Sequence, residues 1–149
     1  MKKIVIIFLL LCSVNYGADI FKLVGAIDRN DTVEFISTVQ TITDANTARS
    51  DNNKTILMYA SYKGNKGAVE HLITKGANIN ATDSTNATAL HLAIWKDHTD
   101  IALLLLEKGA STTTISTDGM TPSDIALIRS NTKIIEAIEA SKPKRKSLF

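Results

Sequence analysis

Cysteine is nearly absent from the chain: one thiol, Cys12, stands among 149 residues, so no internal disulfide can form. Aromatic side chains are scarce, at 5% of the composition, and a core must be built mainly from Leu, Ile, Val and Ala. The longest unbroken apolar run is Ile4 to Leu11, eight residues, which is too short to span a bilayer as a helix. Catalytic signatures are missing as well. There is no P-loop, no HExxH, no paired-cysteine pattern and no G-x-S-x-G elbow, and the carboxylates are scattered through turns and solvated helix faces. No catalytic residue and no cofactor are expected. Three histidines, His71, His91 and His98, lack a further ligand at metal spacing and read as structural groups, so no metal is expected either.

The N-terminus is a separate object. Lys2 and Lys3 precede the apolar run, and the small and polar residues from Cys12 to Ala18 follow it. That is the layout of a secretory signal peptide, with a cut near Gly17 or Ala18. An apolar helix packed on the fold is the bland alternative, and Leu11 before Cys12 argues against lipidation of that cysteine. The division predicted is a signal peptide over 1–18, a folded domain over 19–140 and a basic tail over 141–149. The compact leader and the cysteine-free body look bacterial, which places the mature chain in the periplasm, or alternatively in the medium. Four Asn-x-Ser/Thr sequons, at Asn30, Asn53, Asn80 and Asn86, then have no glycosylating context.

Charge is uneven. From Asp19 to Ser141 there are 11 basic and 15 acidic side chains, a net of −4, which argues against nucleic-acid binding by the folded part. Four of the basic residues lie in the tail, at Lys142, Lys144, Arg145 and Lys146. Such a tail is a solvated end, or it gives weak, salt-sensitive attraction to anionic lipid or an acidic partner.

What is present in quantity is repetition. Thr55, Thr88 and Thr121 are 33 residues apart, as are Ala60, Ala93 and Ala126, and Leu72, Leu105 and Ile138. Gly76 and Gly109 keep the interval. Counting backwards by 33 sets Val39 with Leu72 and Phe35-Ile36 with Ala68-Val69. Each unit reads as two short helices and a turn. Threonine caps the first helix, and Pro122 fits its first position. Lys75 and Lys108 suit the C-terminal dipole of the second helix before Gly76 and Gly109 end it. Asn53, Asn86 and Gly119 share a turn position that tolerates positive φ.

Thr88-Ala89-Leu90-His91-Leu92-Ala93 resembles the T-P-L-H-x-A signature of ankyrin repeats at every position but the proline. Lys75 to Ala81 is similar to the segment that leaves the second ankyrin helix. The resemblance runs from about Ile20 to Ala140. It implies an all-α repeat solenoid of about four ankyrin repeats, each a helix-turn-helix plus turn or hairpin, with terminal caps. Asp97 and Ser130 replace the glycine found at Gly64, and Ile56 and Ala89 replace the helix-start proline, which should loosen individual turns.

The resemblance further implies that the residues closing each first helix face a concave recognition groove. These are Tyr62 and Lys63, Trp95 and Lys96, and Ile128 and Arg129. An apolar column, Tyr62, Trp95, Ile128, is expected beside a cationic one, Lys63, Lys96, Arg129. Tyr, Trp and Arg are favoured at interface hot spots, whereas the bland reading packs Trp95 on its neighbour and leaves the lysines solvated. The turn tips at Ser84-Thr85 and Thr117-Asp118 are the other recognition surface. The function expected is a monomeric, non-catalytic scaffold binding a protein with an apolar anchor and an acidic flank. A secreted effector that binds host proteins is the alternative.

Overall fold

A computed structural model describes residues 16–39 and 45–141, with side chains from residue 20. The cationic and apolar blocks of the expected signal and the basic tail beyond Ser141 lie outside the described residues. Eight helices occur among the described residues: α1 Tyr16–Asp28, α2 Thr32–Thr38, α3 Ile56–Lys63, α4 Lys66–Thr74, α5 Ala89–Trp95, α6 Thr99–Glu107, α7 Pro122–Ile128 and α8 Thr132–Ser141. No strand is found among those residues, and one isolated bridge joins Ala48 to Thr55. Consecutive helices pair as hairpins. Inner helices α1, α3, α5 and α7 stack in order, and outer helices α2, α4, α6 and α8 do the same. The chain is therefore an all-α repeat solenoid, as the 33-residue period implies.

The local causes recur with the period. Thr55 Oγ1 accepts a hydrogen bond from the Met58 N–H at 3.2 Å, covering one of the free donors at the helix start. Thr121 does the same for Asp124, whose carboxylate accepts in return from the Thr121 N–H at 2.8 Å. In the third unit His91 takes the carboxylate's place, its Nδ1 accepting from the Thr88 N–H at 3.1 Å. Ala26, Ala60, Ala93 and Ala126 are all fully buried, because a methyl group is the largest side chain that lets inner helices approach so closely. Leu72, Leu105 and Ile138 fill the space between inner and outer layers and are likewise buried.

The first turn after each inner helix needs a left-handed residue. Gly64 takes φ 79°, and its hydrogen faces the His98 ring, where an added Cβ would come within 2.5 Å of Cε1. Asn30, Asp97 and Ser130 adopt the same backbone at φ 55°, 59° and 53°. The departures from glycine thus leave the turn geometry intact, at a local penalty of about 1 kcal/mol for a side chain in that region. Asn53, Asn86 and Gly119 also take positive φ, as their shared position predicts.

The first unit departs from the 33-residue count. Ala26 corresponds to Ala60, Leu23 to Leu57, and the N-cap Asp31 to the N-cap Asn65, each 34 residues on. Phe35 therefore matches Val69, both buried, while Ile36 is 41% exposed and does not match Val69 as the simple count has it. The added residue sits in the first turn tip. Arg49 N–H donates to the Lys54 carbonyl, five residues on, whereas Asp83 donates to Ala87 and Ser116 to Met120, four residues on. Val39 is buried by a different route: α2 stops early and the extended cap residue turns inward.

Candidate functional site

The concave side is formed by the C-terminal ends of the inner helices and by the turn tips. The tips are tied together along the array. Ser84 N–H donates to the Asn52 carbonyl at 2.9 Å, and Thr117 N–H donates to the Thr85 carbonyl at 2.8 Å. At the base of the tips Asn46 and Asn80 act as rungs. Asn46 accepts from the Asn78 N–H at 2.7 Å and donates to the Gly76 carbonyl, and Asn80 repeats this with Ser111 and Gly109. A surface so cross-linked by hydrogen bonds is preorganised for a partner.

The six residues singled out in the sequence come together pairwise, each cation over the ring of the preceding unit. Lys96 Nζ lies 4.6 Å from the Tyr62 ring centroid, and the Arg129 guanidinium lies 6.0 Å from that of Trp95. Trp95 is 47% exposed, Ile128 is exposed, and Tyr62 is half-buried beneath Lys54 and Lys96. The apolar and cationic columns therefore interleave and do not run side by side.

Two of the three cations are neutralised within the fold. Lys63 Nζ is 2.8 Å from Asp28 Oδ1, and the Tyr59 hydroxyl donates to the same oxygen at 2.8 Å. These two partners hold the Asp28 carboxyl below its ordinary range. Arg129 grips Asp97 with two nitrogens, and that contact lowers the Asp97 pKa in the same way. Lys96 has no carboxylate within ion-pair distance among the described residues. It is the cation of the column left for an external acid. Counting by 33 did not bring Asp28 into the groove, because Asp28 is 34 residues before Tyr62.

A cleft of about 190 Å³ opens beside Trp95, floored by Leu92, Met120 and Ile125 and flanked by Thr85 and Asp118 of two adjacent tips. It merges the two recognition surfaces that the sequence left separate. An equivalent cleft of about 380 Å³ lies between the first and second units, where Ile20, Phe21 and Val24 face Arg49 and Asp51. Neither had a sequence signal of its own.

The histidines are occupied by the fold. His71 Nε2 meets the Val39 carbonyl at 2.9 Å, with the ring edge-on to Phe35, and His98 Nε2 meets the Tyr62 carbonyl at 3.1 Å. His91 is buried in the third unit, with Nε2 facing the Met120 and Thr114 carbonyls beyond normal hydrogen-bond length. Burial holds its pKa below the ordinary 6.5, against those carbonyls and the charge of Asp83. Among the described residues no group of three or more His, Cys, Asp or Glu side chains is placed to hold a metal ion. No helix described is long and apolar enough to cross a membrane.

The family model for ankyrin repeats (3 copies) matches residues 20–116, about two thirds of the chain. Similar proteins include the BRCA1-associated RING domain protein 1 of Caenorhabditis elegans, 35% identical over 127 residues, which are 85% of this chain and 18% of that protein. The E3 ubiquitin-protein ligase KEG of Arabidopsis thaliana is 31% identical over 98 residues, 64% of this chain and 6% of that protein. Protein phosphatase 1 regulatory subunit 27 of Mus musculus is 38% identical over 66 residues, 44% of this chain and 43% of that protein. The chain spans less than a fifth of the first two. It belongs to the ankyrin-repeat family. Repeats of this family typically serve as non-catalytic modules for protein–protein interaction.

Proposed function

We propose that the chain is an exported, non-catalytic scaffold that binds a partner protein in the periplasm through the concave face of its third and fourth repeats. The observation that carries this reading is the cleft beside Trp95. An indole half-exposed over an apolar pocket, between hydrogen-bonded turn tips, has the aromatic anchor and polar rim of a recognition site. Export is supported by the Lys2-Lys3 and Ile4–Leu11 pattern.

The site fits a partner segment with one apolar side chain for the cleft and one carboxylate for Lys96. Lys63 and Arg129 already hold Asp28 and Asp97, so the cationic demand on the partner is smaller than three charges. Lys96→Glu should slow association severalfold and reverse the dependence of the on-rate on salt, as steering by opposite charge requires. An on-rate indifferent to Lys96→Glu at low salt would remove Lys96 from the site.

A further inference from the structure

The last repeat leaves uncovered a column that the others bury. Ile27, Ser61 and Ile94 occupy equivalent places on α1, α3 and α5 and are 3%, 0% and 0% exposed, each covered by the following repeat. Leu127 is the fourth member, on α7, and is 61% exposed. Around it the terminal repeat has exchanged only part of the interface. Ser123 stands where Leu90 is buried in the third unit, and Glu139 where Leu106 packs on the core. Leu127 and Ile135 stay apolar, and with Ile138 they line a cleft of about 100 Å³.

Those exchanges limit what can cover the face. A whole further repeat would bury the Ser123 hydroxyl and the Glu139 carboxylate, which is strongly disfavoured without partners. A narrow apolar strip with polar edges accepts one or two side chains from an extended segment. The chain itself supplies one. Beyond Ser141 it continues Lys142-Pro143-Lys144-Arg145-Lys146-Ser147-Leu148-Phe149, a basic run followed by two apolar residues. Glu136 and Glu139, both exposed on α8, have no ion pair among the described residues. The reach is sufficient. Ile135 lies six residues before Ser141, about 9 Å along the helix, and eight extended residues span up to about 26 Å.

We propose that residues 142–149 turn back at Pro143 across the end face of the fourth repeat, seating Leu148 and Phe149 in the cleft at Leu127 with the basic run along Glu136 and Glu139. The segment then completes the C-terminal cap that the repeat sequence leaves half apolar. This assignment is independent of the groove, because it concerns the opposite use of α7.

Thiol accessibility tests it in the full chain. With Cys12→Ser and Leu127→Cys, the introduced thiol is the only one, and its labelling rate by a soluble disulfide reagent reports cover. Adding Leu148→Ser and Phe149→Ser should speed labelling at least fivefold, and Glu136→Lys with Glu139→Lys should speed it at least twofold. With Leu127 intact, amide hydrogen exchange in α8 should also quicken on the Leu148→Ser, Phe149→Ser change. Equal labelling rates with and without the tail substitutions would overturn the proposal. Protection lost on dilution would overturn it too, assigning the face to a second copy of the chain.

Discussion

Leu105→Ala is the most searching test of the stack itself. Leu105 sits on α6 with no exposed surface, between inner and outer layers, in one column with Leu72 and Ile138. Removing three carbons forfeits about 2.4 kcal/mol of transfer free energy at about 0.8 kcal/mol per methylene. Incomplete collapse of the void adds to this, and the total should fall at about 3–4 kcal/mol, within the range of about 2–5 kcal/mol measured for such truncations. With no disulfide to hold the mature chain, a domain of this size should lose about 10–15 °C of melting temperature at about 4 °C per kcal/mol. Urea titration followed by circular dichroism reads the change directly, with Trp95→Ala as the contrast. Trp95 is larger but half exposed, so its truncation should shift the midpoint by a small fraction of that. A midpoint for Leu105→Ala within about 1 °C of the parent would refute the packing register of the outer helices.

Three further outcomes follow from single sites. Ser130→Gly should stabilise the fold by about 1 kcal/mol, because Ser130 holds φ 53° where glycine is unstrained; a loss on thermal melting would contradict this. His91 binds its proton less tightly when folded than when unfolded, because it is buried. Stability should therefore be full above about pH 6.5 and fall as the pH drops through that value toward the lower folded pKa. His91→Gln should abolish that phase in urea titrations across pH 5–8, and an unchanged pH profile would exclude His91 as its source. Export predicts a mature terminus near Ala18 or Asp19, and N-terminal sequencing of protein from its host that returns Met1 would contradict it.

Much of the fold was legible because its causes are local and periodic. Threonine caps, the alanine column and the Leu72–Leu105–Ile138 column each follow from one residue type at one interval. The first unit was misread by one position for a physical reason. A turn tip absorbs an extra residue without disturbing the helices, so the count slips between Arg49 and Lys54 while the packing continues. Val39 concealed the slip, being buried as a cap residue where the count expected a helical one. The turns at Asp97 and Ser130 were expected to loosen, yet the inter-helix geometry imposes the left-handed conformation on whatever residue stands there. The groove was legible as six positions but not as charges. Asp28 and Asp97 neutralise Lys63 and Arg129 across repeat boundaries, and pairings 32 to 35 residues apart leave no mark on a short-range pattern.

The central claim, that a protein partner docks on the concave face at Trp95, is tested most directly by quantitative affinity capture from the native host. The mature chain, Trp95→Ala and Glu70→Ala, a control on the exposed side of α4, would be compared after their melting temperatures are matched. A partner held by the parent and by Glu70→Ala should be lost at least thirtyfold by Trp95→Ala, about 2 kcal/mol of binding free energy. Equal retention by Trp95→Ala, with the fold intact, would contradict it.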